Sequence, residues 1–284
     1  MQGMSAAQPT EIKITIGGAV DTGSTGEVDN ALRTLGLDDG DRRWVWFLED
    51  LTPGVTALPL LSAGVIVRLR LNPRNNAPDE ADSAIKLRPA RRSQLLPPWH
   101  GPHQDDDGKY RIEADWAGRK RVLAASCVAD VPPEHVPVPY EQATGDSGDD
   151  GGRWSPEAAF SSAQHDFLRT CTRLPVALGG LTCLGPVQAR RWKNISLHLP
   201  RGTGKEVVAE RWTVGELDFL ELSVRVDAGG DARAAQTGFE AAVRAAGLHF
   251  PEEQETKTRR VLQYLADRVT TDQDPQRAHP GGPG

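Results

Sequence analysis

Four strand-like segments carry charges two residues apart with apolar or small residues between them: Glu11 and Lys13, Arg68 and Arg70, Lys86 and Arg88, and Arg111, Glu113 and Asp115. A period of two puts each set on one face of a β-strand and the intervening residues on the other. In a half-exposed antiparallel sheet the charged face simply meets water, and for any single segment that is the plainer reading. The four sets together constrain the chain more. If the strands curl into a closed barrel, one face of each points inward. An interior lined by arginine and lysine needs an anion, because an unpaired buried charge is costly. Cations clamp phosphate oxygens, and interleaved carboxylates suit a hard divalent ion. The pattern therefore points to a polyphosphate site inside a barrel.

The rest of the chain supplies the other parts of such a fold. Residues 11–16 read as the first strand, ended by Gly17 and Gly18, and residues 27–35 as a helix with Val28, Leu32 and Leu35 on one side. Strands follow at 44–51, 65–71, 82–89, 110–116 and 122–128, with loops at 72–80 and 97–108. Gly145–Gly152 has no apolar residue and reads as a solvated linker. Ser155 and Pro156 suit the N-cap and first position of a helix over 155–174. Strand character returns at 187–199, 206–214 and 217–226, with Arg201–Gly204 as a hairpin connection, and helices follow at 232–246 and 252–269. Residues 1–8 read as a disordered leader and 271–284 as a disordered tail, leaving 9–270 as a single domain.

Composition narrows the class. The 284 residues, 38% hydrophobic and 25% charged, exclude a disordered or collagen-like chain. No segment reaches the roughly 20 apolar residues that span a bilayer, and the start of the chain lacks the basic-then-apolar pattern of a signal peptide. Cys127, Cys171 and Cys183 have no CxxC spacing and fit a reducing compartment, so a cytoplasmic protein without membrane contact is expected. A net charge of -6 argues against general nucleic-acid binding.

The order of the motifs resembles the CYTH, or triphosphate tunnel metalloenzyme, superfamily over roughly residues 9–268. That family includes inorganic and thiamine triphosphatases and class IV adenylate cyclases. Its opening ExExK appears as Pro9-Thr-Glu11-Ile-Lys13, its RxR strand as Arg68-Leu-Arg70, and its next motif as Ser83-Ala-Ile-Lys86-Leu-Arg88. Arg111-Ile-Glu113-Ala-Asp115 resembles the RxExE strand, and Glu221-Leu-Ser223 the last ExE. The resemblance implies an α+β fold: an eight-stranded antiparallel β-barrel, the triphosphate tunnel, with flanking α-helices. It implies Lys13, Arg68, Arg70, Lys86, Arg88 and Arg111 on the phosphates, joined by Arg190 or Arg191 and by Lys257. Mg²⁺ or Mn²⁺ would sit on Glu11, Glu113, Asp115 and Glu221, with Asp218 in support. Glu11, Lys13, Lys86 and Glu221 form the catalytic set. A homodimer is the family expectation.

The implied activity is a metal-dependent phosphohydrolase acting on a triphosphate or a triphosphorylated small molecule. Pro9 and Ser223 stand where the family carries carboxylates, so a polyphosphate- or nucleotide-binding module without turnover is the alternative, and an ATP-cyclising lyase a third reading. Three other signals are better read structurally. Gly202-Thr-Gly-Lys205 lacks the full phosphate-loop pattern, since Glu206 follows it. Asp105-Asp-Asp-Gly108 fails as a calcium loop because His103 takes the first ligand position. His100 and His103 have no further ligand at metal-site spacing. Trp44 and Trp46 are expected to pack.

Overall fold

The structure, a computed structural model, describes residues 8–19, 25–75, 77, 79–137, 155–172, 174–199, 206–254 and 256–273. The Gly145–Gly152 linker, the Arg201–Gly204 turn, nearly all of the leader and the tail from 274 onward lie outside the described residues.

Among the described residues, ten strands form one sheet: β1 (Thr10–Ala19), β2 (Asp41–Glu49), β3 (Val65–Asn72), β4 (Glu80–Leu87), β5 (His103–Asp105), β6 (Gly108–Ala117), β7 (Lys120–Val131), β8 (Thr182–Trp192), β9 (Val207–Val214) and β10 (Leu217–Val226). Their spatial order is β1-β10-β9-β8-β2-β3-β4-β7-β6-β5, and β6 also pairs with β1. Nine strands thus close a barrel, and β5 hangs outside it on β6. The expected eight-stranded, wholly antiparallel barrel is corrected on both counts. The closing pair, Thr10–Lys13 against Ala114–Ala117, is parallel. The reason is parity: around an odd ring of strands that otherwise alternate in direction, one neighbouring pair must run the same way.

The strand pattern places the apolar faces outward. In β3, Val65, Val67, Leu69 and Leu71 are buried while Ile66, Arg68 and Arg70 are only partly so. Helices cover those outer faces. Ile12, Ile14 and Ile16 of β1 pack under Val28 and Ala31 of α1 (Thr25–Leu35) and under Ala235, Phe239 and Val243 of α4 (Ala232–Ala245). Burying one such side chain contributes roughly 1.5–3 kcal/mol. A second outer cluster joins Trp46, Val67, Ile85 and Tyr110 to Phe167 and Cys171 of α3 (Ser162–Cys171). The short α2 (Pro59–Ser62) docks through Leu60 and Leu61, whose amides donate to the buried Glu49 carboxylate.

One end of the barrel is capped. Val261, Leu262, Leu265 and Ala266 of α5 (Lys257–Gln273) pack on Val45, Phe47, Val187, Trp212 and Phe219. This helix begins later than its sequence suggests because Gln254 is used otherwise. The parallel seam ends at Lys13, and the next inward residue, Thr15, donates its amide to Gln254 Oε1 instead of to β6. Gly17 and Gly18 do not end β1. Gly17 lies within it at φ +86°, where a Cβ would fall 2.5 Å from Val28 and 2.6 Å from the Asp218 carbonyl. Likewise Ser161, not Ser155, caps α3, through a reciprocal pair of bonds with Gln164. Among the described residues, no helix is long and apolar enough to cross a membrane.

Candidate functional site

The inward faces enclose a cavity of about 1350 Å³. Lys13, Arg68, Arg70, Lys86, Arg88 and Arg111 line it, as do Arg191, Lys257, Glu11, Glu113 and Glu221. The segments that carry these residues span Glu11 to Lys257, and barrel closure alone brings them together. Their charges divide into three groups of different character.

The first group is neutralised from within. Asp115 has no exposed side-chain surface, and three cations converge on it. Lys13 Nζ is 3.2 Å and Lys86 Nζ 3.4 Å from Oδ2, and Arg88 grips both oxygens at 3.0 Å. Burial opposes ionisation of Asp115, but Lys13, Lys86 and Arg88 outweigh it and hold the carboxyl far below its usual range. Asp115 therefore lies inside the barrel, covered by three cavity-lining cations whose counter-ion it is.

The second group comprises two carboxylate pairs, each bridged by a cation. Arg225 Nη2 lies 3.3 Å from Glu113 and 3.8 Å from Glu11. Further along the same wall, Glu210 and Glu221 are register partners on β9 and β10. Lys257 Nζ lies 3.0 Å from Glu210 and 3.2 Å from Glu221, and sits 4.1 Å above the Trp212 ring. Burial opposes the Glu11 charge, yet Lys13 and Lys86 bring its pKa down to about 2. Burial likewise opposes the Glu210 charge, and Lys257 and Arg43 more than offset it.

The third group is short of anions. Arg191, Arg43 and the pair Arg68 and Arg70 stand on the adjacent strands β8, β2 and β3. Arg70 binds Asp82 at 2.9 Å, Arg68 reaches the same carboxylate only at 4.0 Å, and Arg43 touches Glu210 at 3.5 Å. Among the described residues Arg191 has no carboxylate within ion-pair distance. The Nε groups of Arg43 and Arg68 are buried with no hydrogen-bond partner among the described residues. Burial and the neighbouring Arg70 charge lower the Arg68 pKa to about 10 and push Arg43 in the same direction.

The candidate residues differ in the direction they face. Arg191 faces the cavity, whereas Arg190 faces outward toward Asp39. Asp218 is spent on Arg211, bound through both oxygens, and does not line the cavity. His103 packs against Trp99 and Tyr110, and Trp44 and Trp46 are core residues. The cysteines are all free; burial raises Cys127 and Cys183 to about 12 and Cys171 to about 11, so none is a ready nucleophile.

Sequence reasoning missed Arg43, Glu210 and Arg225 as site residues. It also missed an acidic rim. Asp105, Asp106 and Asp107 precede β6, Glu206 precedes β9, and Asp130 and Asp227 lie at the ends of β7 and β10. Strand directions place all of them at the end of the barrel away from α5.

No family model matches the chain, and no curated protein matches it. Among solved structures, the crystal structure of the di-domain ARO/CYC StfQ from the steffimycin biosynthetic pathway aligns at 10% identity and a TM-score of 0.19, over 92% of this chain and 99% of that one. A likeness at that level carries no argument about fold or function.

Proposed function

We propose that the cavity holds the polyphosphate group of a small molecule and that the protein is a divalent-metal-dependent phosphohydrolase of triphosphates. One observation carries the reading: Arg43, Arg68, Arg70 and Arg191 face one enclosed space with too few carboxylates to balance them and two buried Nε donors unmet. Such a cluster holds together against its own repulsion, and a phosphate chain relieves that repulsion while accepting the free N–H groups. The motif order shared with the triphosphate tunnel superfamily supports the same substrate class.

Among the described residues, no three carboxylate, imidazole or thiol groups gather as a ready metal cage. Magnesium, however, is commonly held by one or two carboxylates, with substrate phosphates completing its shell. Glu11 and Glu113 offer such a pair, because both reach toward one shared cation position. Mg²⁺ or Mn²⁺ held there supplies charge neutralisation at the phosphate oxygens. The chain's own residues do the rest. The arginine cluster binds and orients the phosphates, Lys13 and Lys86 donate from the wall, and Glu11 and Glu221 are the acceptors available to an attacking water.

The acidic rim favours a small ligand over a nucleic-acid backbone, which it would repel. Three free cysteines agree with a cytoplasmic location. The test is phosphate release from tripolyphosphate, ATP and thiamine triphosphate with Mg²⁺ or Mn²⁺. Release that disappears in Lys86→Ala and Glu221→Ala is expected, and no release from any of the three contradicts the hydrolase. Cyclic nucleotide and pyrophosphate from ATP would instead identify a lyase. A second reading has its own support: Glu11, Glu113, Glu210 and Glu221 are each already ion-paired. It makes the barrel a binding module, which stabilises on adding tripolyphosphate but releases no phosphate.

A further inference from the structure

Glu11 and Glu113 stand on the two strands of the parallel seam, and a guanidinium from the next strand stands between them. Arg225 lies directly opposite Glu11 in the β1–β10 register. Its Nη2 is 3.3 Å from Glu113 Oε2 and 3.8 Å from Glu11 Oε1. The other oxygens belong to the wall: Lys13 Nζ is 2.8 Å from Glu11 Oε2, and Lys86 Nζ is 3.5 Å from Glu113 Oε1. Each carboxylate thus gives one oxygen to a fixed lysine and turns the other to Arg225.

Arg225 is held differently from the other bridging cation. Lys257 is 6% exposed, spans Glu210 and Glu221 and lies on the Trp212 ring, so it has nowhere to go. The Arg225 side chain is 50% exposed and lines the open cavity. A long side chain of that kind can withdraw its charged head into water while its stem stays packed.

We propose that Arg225 is a built-in counter-cation, occupying the divalent-cation position between Glu11 and Glu113 until a metal ion arriving with its phosphate displaces it. The inference rests on the metal-assisted reading above. Arg225 adds a third positive charge, beside Lys13 and Lys86, to this pair of carboxylates. A divalent ion brings twice the charge to the same oxygens and can exchange with it. Metal affinity in the absence of substrate is then limited by competition with Arg225, which favours entry of the metal as its phosphate complex.

The experiment is Mn²⁺ titration of the full chain, read by calorimetry and by the electron paramagnetic resonance signal of free Mn²⁺. Arg225→Gln is expected to bind Mn²⁺ at least about tenfold more tightly than the parent, a difference of about 1.4 kcal/mol. Arg225→Met, which keeps the stem, is the second variant and is expected to agree. Arg225→Lys, which keeps the charge, stays near the parent, and adding Glu113→Gln to Arg225→Gln removes the gain. Equal or weaker Mn²⁺ binding by folded Arg225→Gln and Arg225→Met overturns the role of Arg225. Tripolyphosphate titrated into the same samples separates the two levels. If it still binds while Mn²⁺ affinity is unchanged, only the Arg225 inference fails. If neither ligand binds the parent or the variants, the polyphosphate reading fails with it.

Discussion

Arg88 holds Asp115 by two parallel contacts, Nε to Oδ2 and Nη2 to Oδ1, each 3.0 Å long. Arg88 lines the cavity with Asp115 covered beneath it, and Lys13 and Lys86 close on the same carboxylate. Removing Asp115 would leave three clustered cations without their counter-ion. Asp115→Ala is expected to lose about 3–5 kcal/mol of stability, the range for breaking a buried pair by deleting one partner. Urea denaturation measures it, and a loss below about 1 kcal/mol would show that solvent already screens the group.

Acid should unfold the protein through this interior. The Glu11 pKa lies at about 2 in the folded chain against an ordinary 4.5, and Asp115 and Glu210 shift in the same direction. A carboxyl depressed on folding contributes stability that is fully present above its unfolded value and is lost as pH falls through the folded one. Thermal stability is therefore expected to hold down to about pH 5 and to decline steadily from 4.5 toward 2. A melting temperature that rises across that window has the opposite sign and would contradict the assignment.

Lys257 serves both the cap and the cavity. It pins the first turn of α5 to Glu210 and Glu221. Lys257→Met would leave two partly buried carboxylates facing each other, and a loss of about 3 kcal/mol is expected. Adding Glu210→Gln is expected to return part of it, so a double-mutant cycle reads the coupling directly. Additive losses would mean that Lys257 acts only through packing on Trp212.

Arg42 and Arg43 are neighbours with different fates. Arg42 is exposed, whereas Arg43 lines the cavity with its Nε unmet. Arg43→Ala is expected to weaken tripolyphosphate binding by about tenfold or more, since a hydrogen bond to a charged group contributes about 1.5–3 kcal/mol. Arg42→Ala is expected to stay within about twofold, as a screened surface charge does. Equal losses in calorimetry would place the ligand elsewhere.

The strand pairs at Arg68, Lys86 and Glu113 were legible because a period of two survives barrel closure unchanged. The same period carries Glu221 through Ser223 to Arg225, so Arg225 was readable from its own strand once that face was known to be interior. Arg43 was harder, because Asp41-Arg-Arg43 looks like a polar approach to the aromatic strand. Its inward turn follows from alternation with Val45 and Phe47, which face the barrel interior while Trp44 and Trp46 face the outer cluster. The parallel seam was out of reach for a physical reason: it follows from the number of strands that close, a property of the whole sheet. The role of Asp115 as a counter-ion was equally hidden, since a period of two places a residue on the inner face without saying whether it meets the cavity or is covered by its neighbours.

The central claim is that the arginine cluster receives a phosphate chain, and calorimetric titration of tripolyphosphate into the metal-free protein tests it most directly. Saturable binding is expected, with a raised melting temperature and a large loss of affinity in Arg68→Ala and Arg43→Ala. Absence of binding heat and of any melting shift in the folded parent would contradict it.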